Sequence, residues 1–301
     1  MNPTTIPQLF DQTEGSEKRQ RYQLMRFQLP PVVMLSMAIL ALMFITTLFA
    51  DFIAPYTPEQ MSLTARLKPP VLTGPEGTWQ HPLGTDGTGR DILSRVIFGG
   101  RISIAVGMIS TVLGLIIGTA AGLVSGFFGR AADRIIMYLV DVQLALPFLL
   151  LTIAVVLVLG KSLAVLIAMA ALSTWPIYAR VVRGLVLSLR EREYVLAAES
   201  LGARSIHIAL HHIVPGIVTT LMVLVTLNVG RIILLESALS FLGLGVQQPT
   251  PTWGNMINDG RTYLNTQWWI AVVPGTALVL LTLSLGVIGD WLRDILDVNL
   301  S

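Results

Sequence analysis

Three groups of residues in this 301-residue chain have types and spacings that could do chemistry. Gly160, Lys161 and Ser162 resemble the tail of a phosphate-binding loop, in which glycine backbone N–H groups and a lysine hold phosphate oxygens. That loop also needs a glycine five residues before Gly160, where this chain has Val155, so the tripeptide reads as a short polar turn. His207 and His211 stand one helical turn apart with His212 adjacent, a spacing open to metal binding. No acidic third ligand falls in that register, and a basic contact surface explains the same residues. Asp141, Arg231 and Glu236 lie in or beside apolar runs, where ionisable groups are expensive and face a bundle interior or water. They are open to two readings, a proton relay or structural pairing.

The elements that must position these residues are membrane helices. The chain is 53% hydrophobic and 13% charged, against about 25% charged residues in an ordinary soluble domain, whose surface must stay hydrated. Its mean hydropathy is +0.70. A net charge of +2 gives no support to a nucleic-acid partner, and zero cysteines exclude a disulfide framework or a thiolate metal site.

A bilayer span needs about 20 mostly apolar residues, and the sequence supplies about six such runs. They are Val32 to Ala50, Ile102 to Ser125, Ile135 to Leu159, Leu163 to about Leu185, Ile213 to about Leu235, and Ile270 to Gly289. The expected fold is therefore all-α, a polytopic membrane helix bundle. Residues 1–31 form a tail, 32–50 a first transmembrane helix, 51–101 an external segment, and 102–301 a core with five further spans. The polar tail has the wrong order and length for a cleaved secretory signal, so the first span is expected to stay in the mature protein. Pro176 and Arg180 interrupt the fourth run, which makes it the span most open to miscounting.

Lys18, Arg19, Arg21 and Arg26 place the N-terminus in the cytoplasm, and an even count returns the C-terminus there. The turn holding Arg130 and Arg134, and the stretch holding Arg183, Arg190, Arg192 and Arg204, fall inside on the same count. The longer external segment also carries Arg66, Lys68, Arg90, Arg95 and Arg101, where charge counts weigh less.

Gly114, Gly118, Gly122 and Gly126 recur every fourth residue together with Ser110 in the second run, a stripe that lets another helix backbone come close. It serves either an intramolecular helix contact or a subunit interface. The segment Arg190 to Pro215, REREYVLAAESLGARSIHIALHHIVP, is charged and helical in pattern, broken near Gly202 and stopped at Pro215. Tyr194, Leu196, Ala197 and Ala198 give it a compact apolar surface, with Leu201 one turn beyond. That pattern suits a helix lying in a protein groove, and equally one lying among lipid headgroups.

This segment resembles the EAA loop of binding-protein-dependent ABC importers. Ala197, Ala198, Gly202 and Pro215 fall in register, whereas Leu196 stands in place of Glu, His212 in place of Ile and Val214 in place of Leu. Three further stretches resemble the dipeptide and oligopeptide branch of that family: HPLGTDGTGRDILSRVIFGGRIS from His81, ESALSFLGLGVQQPTPTWGNMI from Glu236, and GDWLRDILD from Gly289. The resemblance covers nearly the whole chain after Pro30, with Val298 standing where many relatives have Pro.

The resemblance implies a type I importer fold in the bacterial inner membrane and a C-type permease role, with no enzymatic activity of its own. It implies a B-type permease partner, two cytoplasmic ATPases that bind ATP and Mg, and an external solute-binding protein. Tyr194, Ala197, Ala198, Gly202 and Pro215, within a coupling loop over 188–212, would meet an ATPase groove. No cofactor or metal is expected in this chain. Two rivals use other chemistry: a proton-coupled secondary carrier working through Asp141 or Glu236, and a lipid-acting membrane enzyme. The enzyme would need clustered His, Asp or Glu at one depth, which the four histidines do not form.

Overall fold

The computed structural model describes residues 29–73 and 76–297, so the basic tail from Lys18 to Arg26, and Val298, lie outside the described residues. Among the described residues every regular element is helical, apart from one isolated bridge between Thr85 and Asp91. The helices are α1 (Pro31–Leu48), α2 (Ala50–Ile53), α3 (Ile92–Phe128), α4 (Arg130–Ala145), α5 (Phe148–Leu159) and α6 (Leu163–Arg190). They continue with α7 (Glu193–Ser200), α8 (Ser205–Ile208), α9 (Val214–Phe241), α10 (Trp253–Gly260) and α11 (Trp269–Asp297).

Among the described residues five helical stretches are long and apolar enough to cross a membrane, and α4 with α5 forms a sixth if the bent pair is one span. Packing decides that count. Gly114, Gly118, Gly122 and Gly126 of α3 meet Thr174, Tyr178, Val182 and Val186 of α6 in the same order, so the two helices run parallel. The chain between them must return across the layer once, and α4 with α5 is the segment that does so.

Close backbone approach makes that contact. A Cβ built on Gly118 would lie 2.5 Å from the Trp175 carbonyl oxygen, and one on Gly122 2.7 Å from that of Ala179. In lipid, such van der Waals contact drives helix pairing, because the surrounding tails are as apolar as the side chains.

The third apolar run is not one straight helix from Ile135 to Leu159, because α4 and α5 meet at 90°. Pro147 has no N–H to continue α4 and pushes Leu146 into extended backbone (φ −85°, ψ 133°). The fourth run, by contrast, is unbroken, and Pro176 lies inside α6. Its cost is the carbonyl of Leu172, four residues earlier, which Pro176 cannot serve. The Gln143 side-chain amide donates to that carbonyl, and Trp175 Nε1 donates to Gln143 Oε1 at 2.6 Å. A freed backbone group inside a membrane helix must be satisfied by a neighbour, and α4 supplies it here.

Two further boundaries differ from expectation. α3 starts at Ile92 rather than Ile102, because Asp91 caps it by accepting from the Ser94 N–H at 2.8 Å. With 37 residues at about 1.5 Å each, α3 outreaches a hydrocarbon layer of about 30 Å, so part of it stands outside. Pro215 does not stop the helix before it. The chain is helical from Ile206 to Phe241, with a π turn at Ala209–Ile213 just ahead of the proline. That wide turn, closed by the Val214 N–H on the Ala209 carbonyl, accommodates a residue that cannot donate.

Residues 54–73 and 76–91 fold as a cap on one end of the bundle. Trp269 Nε1 of α11 donates to the Thr85 carbonyl at 3.2 Å, the Tyr56 N–H donates to Ser94 Oγ at 3.1 Å, and Arg101 of α3 reaches the Leu48 carbonyl at 3.0 Å. α10 completes this end with a capping box between Thr252 and Asn255 and a Trp253 indole that donates to the Val96 carbonyl at 2.9 Å.

Candidate functional site

The segment singled out for partner contact is a short helix with two unlike faces. Val195 of α7 is buried in a cluster with Tyr178, Val182 and Val186 of α6 and Ile213, Ile217 and Leu221 around α9, and Ala198 and Ala203 pack against it. Burying a side chain such as Val195 is worth about 1.5 to 3 kcal/mol, enough to seat so short a helix. On the reverse face, Tyr194, Ala197 and Leu201 follow the i, i+3, i+7 spacing and form an exposed stripe, with Tyr194 48% and Leu201 88% exposed.

Gly202 ends α7 in the left-handed region at φ +79°. Its N–H donates to the Glu199 carbonyl at 3.0 Å, and the Ala203 N–H donates to the Ala198 carbonyl at 3.1 Å, the paired closure of a Schellman turn. Among the described residues no neighbouring atom lies within 4 Å of a Cβ at that point, so the glycine is required by conformation and not by crowding there. The five residues named for this site therefore divide: Tyr194 and Ala197 are outward, Ala198 is half-buried beneath, Gly202 is the turn, and Pro215 is exposed in the first turn of α9.

Arg190, Val195 and Arg183 complete the site, and spacing alone did not single them out. Arg190 donates to the Phe127 carbonyl at 2.9 Å and lies over the Phe127 ring, so the last turn of α6 closes the C-terminus of α3 with a cation. Arg183 grips Asp133 of α4 with two bonds, one of them 2.7 Å long, and Ser125 of α3 donates to the same carboxylate. α3, α4, α6 and α7 are thus tied together around one end of the bundle. The basic residue in the last turn of α6 was the available signal for Arg190; its target, a carbonyl in another helix, was not readable.

The other chemical candidates resolve into local structure. Gly160 ends α5 at φ +84°, and Ser162 caps α6 by accepting from the Val165 N–H at 3.2 Å, so the phosphate-loop lookalike is a helix-to-helix turn. His207 and His211 stack with ring centroids 4.2 Å apart, and among the described residues no group of three or more His, Cys, Asp or Glu could hold a metal. Glu236 is fully buried and accepts from Ser240 Oγ at 2.7 Å and Ser103 Oγ at 2.9 Å, which staples α9 to α3. Asp141 pairs with Arg180 at 2.7 Å, and Arg231 is exposed. Asp141 and Glu236 have separate partners, and no hydrogen bond or ion pair joins them among the described residues.

The opposite end of the bundle carries a second polar cluster. Arg90 Nε donates to Asp86 Oδ2 at 2.7 Å, and Arg95 stands 3.5 Å from Asp86 and 3.7 Å from Asp259 of α10. Burial alone would raise the Asp86 carboxyl. The Arg90 backbone N–H and guanidinium together with Thr88 outweigh it and hold the group below the usual range. For Asp259 burial prevails over Arg95 and Arg90, and its carboxyl is pushed up.

Comparison with known proteins accords with this arrangement. Residues 22–70 match the N-terminal TM domain of oligopeptide transport permease C. The chain is 42% identical to a dipeptide transport system permease protein, DppC, of Alkalihalophilus pseudofirmus over 75% of this chain and 74% of that protein. It is 41% identical to the di/tripeptide transport system permease protein DppC of Pseudomonas aeruginosa over 84% of this chain and 83% of that one. It is 37% identical to the glutathione transport system permease protein GsiD of Pectobacterium atrosepticum over 98% and 96% of the two chains. Residues 111–301 match the binding-protein-dependent transport system inner membrane component family, so this multi-pass helix bundle belongs to that family and is a permease subunit of an ABC importer.

Proposed function

We propose that the chain is the C-type permease of an importer for dipeptides or oligopeptides, set in a bacterial inner membrane with both termini in the cytoplasm. In this reading it lines the pathway with a B-type permease, receives solute from an external binding protein, and is driven by two cytoplasmic ATPases that carry the ATP and Mg. Relatives named for dipeptide and di/tripeptide transport support the substrate class. Short basic stretches at one end of the bundle support the orientation.

One observation carries the coupling role. A handle for another protein has to be exposed on one side and rigidly joined to the spans on the other, and α7 meets both conditions through the Tyr194, Ala197, Leu201 stripe and the Val195 anchor. Displacing α7 must move the end of α6 and the start of α9, because Val195 packs on both. An ATPase that shifts on binding ATP would then bias the bundle between two packings and alternate access to a central path.

The test is Gly202→Val in the whole complex. A β-branched side chain in the left-handed region costs about 1 to 2 kcal/mol, roughly tenfold in docking. Expected is a permease that still inserts but co-purifies with at least tenfold less ATPase and takes up no labelled peptide, while Gly202→Asn, which tolerates this backbone region, retains both. Normal association and uptake in Gly202→Val would remove α7 from the coupling role. Reporter fusions at both termini should read cytoplasm; a periplasmic C-terminus would overturn the orientation.

A further inference from the structure

The Asp141 and Arg180 side chains are joined by a single 2.7 Å bond from Arg180 Nη2 to Asp141 Oδ1, yet they remain 67% and 56% exposed. Their positions make that exposure informative. Asp141 lies eleven residues after the start of α4 and Arg180 ten before the end of α6. α6, with 28 residues at about 1.5 Å each, outreaches a hydrocarbon layer of about 30 Å just as α3 does, so its end is not the layer edge and the pair lies roughly 9 Å inside the layer, short of its middle. An ion pair at that depth does not face lipid tails; such pairs face other protein or water.

A second observation falls at the same place. Four residues beyond Asp141 the helix ends, and Leu146 and Pro147 at the 90° bend are exposed along with Leu144 and Ala145. Irregular backbone at membrane depth is tolerated only inside protein or along a water-filled cavity, and broken helices mark solute sites near the midplane. Helix stapling does not account for the pair either. α4 is already fastened to α6 by Asp133 with Arg183 on one side and by Gln143 with the Leu172 carbonyl on the other. Those cross-links hold Asp141 and Arg180 in place and leave one carboxylate oxygen and four guanidinium N–H groups free for another partner among the described residues.

We propose that the Asp141 and Arg180 pair lines the solute pathway and receives the two charged ends of a zwitterionic solute, an ammonium on Asp141 and a carboxylate on Arg180. The pair is neutral as a unit. It therefore accepts a dipolar backbone without selecting the charge of the side chains, which suits a tolerant peptide path. The inference rests on the peptide permease reading above.

The chain has no cysteine, so Leu144→Cys, one turn beyond Asp141 on α4 and exposed, gives its only thiol and leaves the pair intact. In cells expressing the whole importer, this thiol should react with a membrane-impermeant cationic thiosulfonate, read as a mass shift on this subunit. Saturating glycyl-leucine should slow the reaction at least fivefold. Asp141→Asn and Arg180→Gln should each lower glycyl-leucine uptake at least tenfold with the ATPases still bound, while Arg180→Lys, which keeps the cation, retains most uptake. No labelling in the assembled complex, the pair being sealed by the partner permease or lipid, would overturn the proposal. Unchanged uptake in both neutral variants would overturn it too. Failure of the wild type to take up glycyl-leucine would instead sink the peptide reading, and labelling would still decide whether the pair meets water.

Discussion

The side-chain amide of Gln143 on α4 donates to the carbonyl of Leu172 on α6, the group that Pro176 leaves without a backbone partner. One side chain thereby lets a proline sit inside a membrane helix without breaking it. Gln143→Ala orphans the carbonyl and the Trp175 indole together, and each polar group left unsatisfied away from water costs about 1 to 3 kcal/mol. The expected outcome is a lower unfolding midpoint for the complex in detergent, followed by loss of helical circular dichroism. Adding Pro176→Ala should restore part of the loss, because alanine brings back the missing N–H. Additive effects of the two changes would refute the link.

The parallel contact between α3 and α6 makes a contrasting pair of predictions. Gly118→Val should destabilise by more than the usual overpacking cost of about 1 to 3 kcal/mol, because the clash is with backbone that cannot turn aside. Gly286 lies in α11 with no atom within 4 Å of its Cβ position, and Gly286→Ala should be neutral or stabilise by up to about 1 kcal/mol. Yield of folded chain and unfolding midpoint compare the two. Equal effects would mean that the stripe is not a close contact.

The cap at the other end should respond to acid through Asp86. Its folded carboxyl lies below the unfolded value, so its stabilisation is present above about pH 4 and lost as pH falls through the lower folded value. Asp259 works in the opposite sense, since a raised carboxyl costs stability once pH rises through its folded value. Protection against hydrogen exchange across residues 81–92, taken relative to the intrinsic rate at each pH, should fall below about pH 4 in the wild type. Asp86→Asn should show that lower protection already at neutral pH. Protection that does not change with pH in the wild type would contradict the assignment.

Lys161 sits in the turn between α5 and α6 with no phosphate cradle around it. Lys161→Ala should leave ATP-driven uptake by the complex within about twofold, as expected of a surface substitution. The isolated chain should show no saturable ATP hydrolysis. Hydrolysis abolished by this one change would restore the phosphate-loop reading.

The apolar runs, the charged loops between them and the positions of Ala197, Gly202 and the glycine stripe are local properties of the chain. They were legible because a bilayer imposes its length and polarity on each span separately, and because a left-handed turn asks for glycine wherever it occurs. Pro147 and Pro176 show where that ends. Both interrupt apolar runs, yet one lies at a 90° bend and the other inside a continuous helix, where Gln143 serves the carbonyl that the proline leaves open. Likewise Ala197 and Ala198 are identical neighbours, and only the cluster around Val195 decides which faces outward. Arg95 meets Asp86 on one side and Asp259 of α10 on the other, and Arg190 finds the end of α3. Composition and period set the spans; which polar group meets which depended on helices packed from distant parts of the chain, since a hydrogen bond or ion pair forms only at the distance that packing creates.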